Sequence, residues 1–193
     1  MIYFMRHGLD DESFVGGWSE VDLIDEGINQ VNEALPILKK LIITKIYSSD
    51  IKRALSTAKI IASELKVPII ETDILREQNK GDCNGLNKKE AYSKYQKYID
   101  GNDINMRYPN GESLMDLYER VKSNMHLLEG LDNVLIITHR GVINMLYYIL
   151  NDIPLDMEKK RFGVVHASIH ELDLTNNTIR RIDGSSGIWF NKR

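Results

Sequence analysis

Residues 133–141 read NVLIITHRG, and their pattern indicates the kind of sheet that this chain forms. A short apolar run passes directly into a polar cluster that begins at His139, which is typical of a buried strand in a parallel sheet. The N-terminal residues 1–8, MIYFMRHG, have the same form, with His7 in the polar cluster. Binding sites of such sheets lie beyond the carboxyl ends of the strands. We therefore predict that His7 and His139 face the same site.

Strands and helices alternate along the rest of the chain. Apolar runs predict further strands, and apolar residues at helical spacing predict the helices between them. The predicted strands are 45–48, 67–71, 164–174 and 178–183, and the predicted helices are 25–41, 51–65, 88–98, 113–128 and 142–150. This alternation predicts an α/β fold, a three-layer α/β/α sandwich with a mostly parallel central sheet. We expect one domain over 1–193, with a substrate-covering segment at about 79–110.

Two of the predicted helices are preceded by capping signals. Ser48, Ser49 and Asp50 are good N-cap residues for the helix that follows them. Ser113 and Asp116 have the spacing of a capping box, in which each residue bonds the backbone of the other. These signals predict that one helix begins near residue 51 and another near residue 113.

Composition restricts the classes of protein that this chain can belong to. Its 193 residues are 42% apolar, enough for one sizeable core, and the formal net charge of −3 gives no basic excess for nucleic acid. The single cysteine, Cys83, cannot form an internal disulfide, which favours a reducing, cytoplasmic setting. No signal-peptide pattern and no apolar run of about 20 residues is present, so we expect no membrane association. A monomer and a homodimer both remain open.

The polar residues at the two strand ends suit phosphoryl chemistry. A neutral imidazole such as His7 is a competent nucleophile near neutral pH, and the adjacent Arg6 suits the geometry of phosphate oxygens. Arg53 lies in the first turn of a predicted helix, and His139 directly precedes another helix, whose N-terminal amides favour an anion. Each residue also has an ordinary structural explanation: a surface salt-bridge cluster, an exposed helix arginine, a hydrogen-bonded strand end.

Taken together, six segments resemble one family. They are MRHG (5–8), YSSDIKRALSTAKIIA (47–62), LREQNKGDCNGL (75–86), PNGES (109–113), ITHRGVI (137–143) and HASIHELDL (166–174). They follow in the order seen in the histidine phosphatase superfamily, the phosphoglycerate mutase-like proteins, and the resemblance covers nearly the whole chain.

The resemblance implies roles for five residues. His7 would accept the phosphoryl group, and Arg6, Arg53 and His139 would line the phosphate pocket. Glu77 would protonate the leaving oxygen and later activate water. No metal and no cofactor is implied, because cationic side chains replace them.

Three positions depart from the family. Asp10 stands where a threonine or serine is usual, Ser13 replaces a common asparagine, and Arg140 replaces a glycine. These three and Gly8 complete the candidate substrate-binding residues. Arg140 could point into solvent or onto another acidic residue, or it could reach into the site and pair with Asp10. His166 aligns near a position that borders the family's pocket.

The resemblance favours net hydrolysis over phosphoryl rearrangement. The family's mutases carry a longer insertion after the general-acid motif, whereas only about 34 residues separate Glu77 from Glu112 here, which leaves a more open site. We therefore expect a metal-independent histidine acid-type phosphatase that acts on a small phosphorylated metabolite. Two alternatives stay open: a phosphoglycerate mutase-type phosphotransferase, and a phospho-ligand-binding module without turnover.

Overall fold

The computed structural model describes residues 1–158 and 161–183, which contain a six-stranded sheet in the order β3-β2-β4-β1-β5-β6. The strands are β1 (Ile2–Arg6), β2 (Lys45–Ser49), β3 (Ile69–Thr72), β4 (Val134–Thr138), β5 (Ile169–Asp173) and β6 (Thr178–Arg181). The helices are α1 (Asp25–Leu38), α2 (Lys52–Leu65), α3 (Lys88–Ile99), α4 (Leu114–Ser123) and α5 (Arg140–Leu150). The first four strands of that order are mutually parallel, β5 runs antiparallel to β1, and β6 runs antiparallel to β5.

Helices cover both faces of the sheet, because alternate strand residues point to opposite sides. Phe4 of β1 packs into a cluster with residues of α4 and α5. Its neighbour Met5 packs with residues of α1 and α2 on the other face. The central strands β1 and β4 are buried along their whole length, as a strand covered on both faces must be. The predicted three-layer sandwich with a mostly parallel sheet is confirmed.

The register of β1 and β4 brings the two polar clusters together. Arg6 is paired with Thr138, so His7 and His139 follow adjacent strand ends. The His7 amide continues the ladder by donating to the Thr138 carbonyl at 3.0 Å. Two residues that are 132 positions apart in the chain therefore begin neighbouring loops at one edge of the sheet.

Several predicted boundaries are corrected by the structure. The first helix ends at Leu38 rather than 41, and α4 ends at Ser123 and is followed by a separate 3-10 turn at Met125–Leu128. The helix after β4 begins at Arg140, two residues early. The strand predicted from 164 begins only at Ile169, because Ala167 has a φ of +56°, which an extended strand does not allow.

The two capping predictions have different outcomes. Ser113 and Asp116 form the predicted capping box at the start of α4. The N-cap of α2 is Ile51, with no side-chain cap, so the prediction for Ser48, Ser49 and Asp50 was wrong. Ser48 and Ser49 are instead the last residues of β2, and Asp50 pairs with Arg76.

None of the helices within the described part of the chain has both the length and the apolar character needed to cross a membrane.

Candidate active site

His7 lies at the base of a cavity at the carboxyl ends of the strands, and only 3% of its surface is exposed. Its Nδ1 is 2.7 Å from the Gly8 carbonyl oxygen, which can only accept, so Nδ1 carries the hydrogen. Nε2 therefore carries no hydrogen, and its lone pair accepts a hydrogen bond from Arg53 Nε at 3.2 Å. Burial, and then the charge of Arg53, holds the pKa of His7 well below its usual value. The imidazole is therefore neutral, with its unprotonated nitrogen beside Arg53, and the residue lines the cavity.

The guanidinium of Arg53 is held rigidly beside His7. The residue is 2% exposed, and its Nη2 donates to the Gly17 carbonyl at 2.8 Å, while Nη1 donates to Ser19 Oγ at 3.3 Å. Nη2 also lies 3.2 Å from His139 Nδ1. A side chain fixed by this many partners is preorganised to bind an anion without further ordering.

Arg6 forms the second cationic wall of the cavity. Its Nη1 donates to the Val164 carbonyl at 3.1 Å, and its Nη2 lies 2.5 Å from His166 Nε2. Its Nε is buried and has no hydrogen-bond partner among the described residues. Burial, and then the charge of Arg140, lowers the pKa of Arg6 to about 10, so the guanidinium stays cationic at neutral pH. The guanidinium therefore supplies a fixed positive charge at the wall of the cavity.

His139 lies behind this pair and does not line the cavity. It is fully buried, and its ring centroid is 5.1 Å from that of His7. Since Arg53 donates to Nδ1, the hydrogen of the neutral ring is on Nε2, which is 2.9 Å from Ser49 Oγ. Burial and the charge of Arg53 lower its pKa as well. In this structure His139 reaches the site through Arg53.

Glu77 lines the same cavity from the loop after β3. Its Oε2 accepts the Gly141 amide hydrogen at 3.0 Å, and its Oε1 accepts that of Gln78 at 2.9 Å. Its carbonyl oxygen accepts from Trp18 Nε1 at 2.8 Å and from Arg120 Nη2 at 3.1 Å. Both the carboxylate and the backbone of Glu77 are thus fixed in position.

Of the four remaining candidate substrate-binding residues, two line the cavity and two do not. Asp10 and Arg140 line the cavity. Ser13 is exposed and does not line it; its carbonyl accepts from Lys88 N at 2.8 Å, and its amide donates to Asp11 Oδ1 at 2.9 Å. Gly8 is buried behind His7, where an added Cβ would lie 2.4 Å from the Gly27 carbonyl oxygen, so the close backbone approach is made by α1 rather than by a ligand.

For Arg140, the prediction that it points into solvent is wrong, and the prediction that it reaches into the site and pairs with Asp10 holds only for the first part. Its side chain lines the cavity. Its positive charge lies close enough to Arg6 and His166 to lower their pKa values, although burial is the larger cause of both shifts. Within residues 1–158 and 161–183, no ion pair joins it to Asp10, whose carboxylate is paired with Arg53 at 3.5 Å instead. Arg140 therefore adds positive charge to the site without neutralising Asp10.

The outer part of the cavity is formed by the segment predicted to cover the substrate and by α5. The whole cavity has a volume of about 250 Å³. Lys80, Tyr98 and Tyr108 line one side, with Lys80 Nζ 4.4 Å from the ring centroid of Tyr108. Met145 and Tyr148 line the other. This region combines apolar and aromatic side chains with charged ones, which suits the organic part of a polar ligand.

Three potential metal ligands meet at the base of the cavity. His7, Asp10 and His166 each offer one ligand atom, and these atoms lie within 4.8 Å of one another. The guanidinium groups of Arg6 and Arg53 contact all three residues. Two fixed positive charges oppose a cation there, so the cluster suits an anion.

Sequence reasoning did not identify several polar residues that complete the site. Ser19 and Ser49 hold Arg53 and His139 in position, and the Thr57 hydroxyl accepts the Gly8 amide hydrogen at 3.1 Å. His166 was named only as a bordering residue, yet it contacts Arg6 directly. No sequence pattern marks Ser19, whereas Thr57 lies one helical turn after Arg53, on the same face of α2.

A neutral buried histidine between two guanidinium groups, with a fixed carboxylate in the same cavity, defines an α/β protein with an anion site suited to phosphoryl transfer. Residues 2–182 match the histidine phosphatase superfamily (branch 1), and the chain belongs to that family.

Known relatives agree with this assignment. The chain is 35% identical over 160 residues to phosphoglycerate mutase-like protein 4 of Arabidopsis thaliana, covering 76% of this chain and 69% of that one. It is 32% identical over 160 residues to a 2,3-bisphosphoglycerate-dependent phosphoglycerate mutase of Cytophaga hutchinsonii, covering 76% and 75%. The solved structure of Bacillus stearothermophilus YhfR superposes with a TM-score of 0.78 at 26% identity, covering 93% of this chain and 94% of YhfR.

Proposed function

We propose that this protein hydrolyses a phosphomonoester of a small metabolite by transferring the phosphoryl group to His7. The observation that carries the proposal is the state of the His7 ring. Nδ1–H is committed to the Gly8 carbonyl, and Nε2 is an unprotonated nitrogen held between cationic groups. A nucleophile of this kind needs no base to activate it.

The first step transfers the phosphoryl group to the protein. The lone pair of His7 Nε2 attacks phosphorus while the bond from phosphorus to the alcohol oxygen breaks, its electron pair staying on that oxygen. Protonated Glu77 gives its proton to the departing oxygen, which leaves as a neutral alcohol. Arg6 and Arg53 stabilise the negative charge on the phosphoryl oxygens through the transition state.

The second step releases phosphate. A water oxygen attacks phosphorus, the phosphorus–nitrogen bond breaks, and its electron pair returns to Nε2. The Glu77 carboxylate, left unprotonated by the first step, takes a proton from the attacking water. The site returns to its starting state with one water consumed. Because two guanidinium groups supply the positive charge, the proposed reaction needs no metal.

A mutase is the second candidate, since both relatives above are named after phosphoglycerate mutases. A substrate of that kind carries a carboxylate beside its phosphate, which calls for cationic partners in the outer cavity. There the cations Lys80 and Lys88 are accompanied by the acidic side chains of Asp103, Asp156 and Glu158 and by an apolar surface. This mixed lining favours a substrate whose alcohol part carries no strong negative charge. The third candidate is a binding module without turnover, and no feature of the site within the described residues favours it.

The test combines turnover with trapping of the intermediate. Wild-type protein, incubated with a radiolabelled phosphomonoester in the presence of a chelator, should release phosphate and should hold an acid-labile, base-stable label. His7→Gln should lose both, with turnover reduced by at least ~10³-fold. His126→Gln, which changes an exposed histidine, is the matched control and should behave as wild type.

Three results would contradict the proposal. Undiminished turnover in His7→Gln would remove His7 as the nucleophile. Transfer of the label to 3-phosphoglycerate in preference to water would make the protein a mutase. Label bound tightly without release or transfer would make it a binding module.

A further inference from the structure

Asp10 places a carboxylate inside the anion-binding end of the cavity. The residue is 9% exposed. Its Oδ2 lies 3.5 Å from Arg53 Nε, the same nitrogen that donates to His7 Nε2, and its Oδ1 lies 3.8 Å from His166 Nε2. An ionised carboxylate here competes with an incoming phosphoryl group for one guanidinium.

We propose that Asp10 takes up a proton from solvent when a phosphoryl group enters the site, and that it binds this group as a neutral carboxylic acid. The inference rests on the proposed function only in placing the phosphoryl group between Arg6 and Arg53. A carboxylic acid O–H donates a hydrogen bond, as does the hydroxyl that the family usually has at this position.

The charges around Asp10 explain why Asp10 is the group that takes up the proton. The groups that face it are Arg53 on α2, Arg6 and His7 at the end of β1, His166 before β5, and Glu12 on its own loop. Burial raises the pKa of Asp10 even though Arg53 and Arg6 act in the opposite direction. A phosphoryl dianion bound to those two guanidinium groups offsets their attraction for the carboxylate and repels it directly. Proton uptake removes this repulsion.

His166 is the competing proton acceptor, and its contacts argue against it. A guanidinium can only donate hydrogen bonds, so the contact of Arg6 Nη2 with His166 Nε2 requires that Nε2 carry no hydrogen. Protonation there would break this bond and place an imidazolium against a guanidinium. Burial, followed by the charges of Arg6, Arg140 and Arg53, accordingly holds the pKa of His166 at about 3.

Proton uptake makes anion affinity depend on pH in a defined way. Between the pKa of Asp10 in the free site and its pKa in the occupied site, affinity should fall about tenfold for each pH unit gained. Sulfate is a suitable probe because it stays a dianion throughout this range, so its own titration does not contribute. Its binding also requires no turnover.

The experiment is calorimetric titration of the 193-residue protein with sulfate, in buffers of different ionisation enthalpy, from about pH 5 to about pH 8. Wild type should take up about one proton per sulfate and should lose about tenfold in affinity per pH unit in the sensitive range. Asp10→Asn, which keeps the shape and removes the charge, should take up no proton and should bind sulfate more tightly at the upper end of the range. Asp10→Thr should behave in the same way, and His166→Asn should retain the proton uptake.

Several outcomes would overturn the proposal. These are wild-type proton uptake that persists in Asp10→Asn, proton uptake that is lost in His166→Asn alone, and a wild type that binds neither sulfate nor inorganic phosphate. A protein that binds sulfate with Asp10-dependent proton uptake but hydrolyses no phosphomonoester would contradict the proposed function and leave this inference intact.

Discussion

The glycine at position 141 allows the Glu77 carboxylate to lie directly against the start of α5. A Cβ added there would be 2.0 Å from Glu77 Oε1 and 2.9 Å from Leu117 Cδ2. In a Gly141→Ala variant the carboxylate must therefore move by at least 1.0 Å to reach the 3.0 Å that real contacts respect. The movement also strains the bond that Gly141 N donates to Oε2 at 3.0 Å. The substitution misplaces the proposed acid without touching Arg6, His7 or Arg53.

The expected losses follow from the role of Glu77. Displacement of a catalytic group by about 1 Å costs on the order of 10²-fold in rate, or about 2.7 kcal/mol of transition-state stabilisation. Folding should not suffer equally, because the conflict is with two side chains, and alanine gains about 1 kcal/mol over glycine inside a helix. We expect the rate to fall while the melting temperature stays the same or rises.

The assay compares leaving groups. Alkyl phosphates, whose leaving oxygen needs a proton, should be slowed by about 10²-fold in Gly141→Ala, and an activated aryl phosphate should be slowed little. Glu77→Gln should also slow alkyl phosphates more than the aryl phosphate. The double variant should be no slower than Glu77→Gln alone, because both substitutions remove the same function, proton donation by Glu77. Equal slowing of alkyl and aryl substrates would refute the reasoning, as would a loss of stability large enough to explain the lost activity.

Two further predictions concern stability. Gly8→Ala would place a Cβ 2.4 Å from the backbone oxygen of Gly27, so it should destabilise the fold by about 1–3 kcal/mol in urea unfolding, and an unchanged midpoint would contradict this. The second concerns four histidines whose pKa values are lowered by burial, which are His7, His139, His166 and His170. Each histidine contributes its full stability above its unfolded-state pKa of about 6.5. As the pH falls from there toward the pKa of that histidine in the folded protein, the free energy of unfolding decreases by up to about 1.4 kcal/mol per pH unit. Urea unfolding at several pH values should show this loss, His170→Gln should reduce its slope by about one proton, and a flat profile would contradict the assignment.

The sheet could be predicted from the sequence because its central strands are buried on both faces. Such strands are short, continuously apolar runs, and the polar residues that end them are conspicuous. The prediction that His7 and His139 face one site follows from this pattern; the register of β1 and β4 places the two residues side by side, but only His7 lines the cavity. Helix ends were predicted less well. Before α2, for example, Ser48 and Ser49 looked like capping residues but are the last two residues of β2.

The loop between β1 and α1 could not be read from the sequence. Ser13 was a candidate for the site and is exposed, whereas Ser19 is buried and bonds Arg53. Nothing in the local pattern separates these two serines, because the path of the loop is fixed by distant partners. Val15 N donates to the carbonyl of Leu86 at 2.8 Å, and Trp18 N donates to the Asn84 side chain at 2.9 Å.

The same loop connects the two ends of the site. Gly17 accepts from Arg53 through its carbonyl at 2.8 Å, and the next residue, Trp18, donates from its ring to the Glu77 carbonyl at 2.8 Å. Consecutive residues thus contact the guanidinium proposed to bind phosphate and the proposed acid, so their conformation sets the distance between these two groups. Gly17 has a φ of +62°, and a Cβ there would lie 2.3 Å from Asn84 Oδ1, so only glycine gives this conformation. The spacing between nucleophile and acid therefore depends on a loop glycine outside both strand-end motifs, which is why those motifs alone do not determine the site.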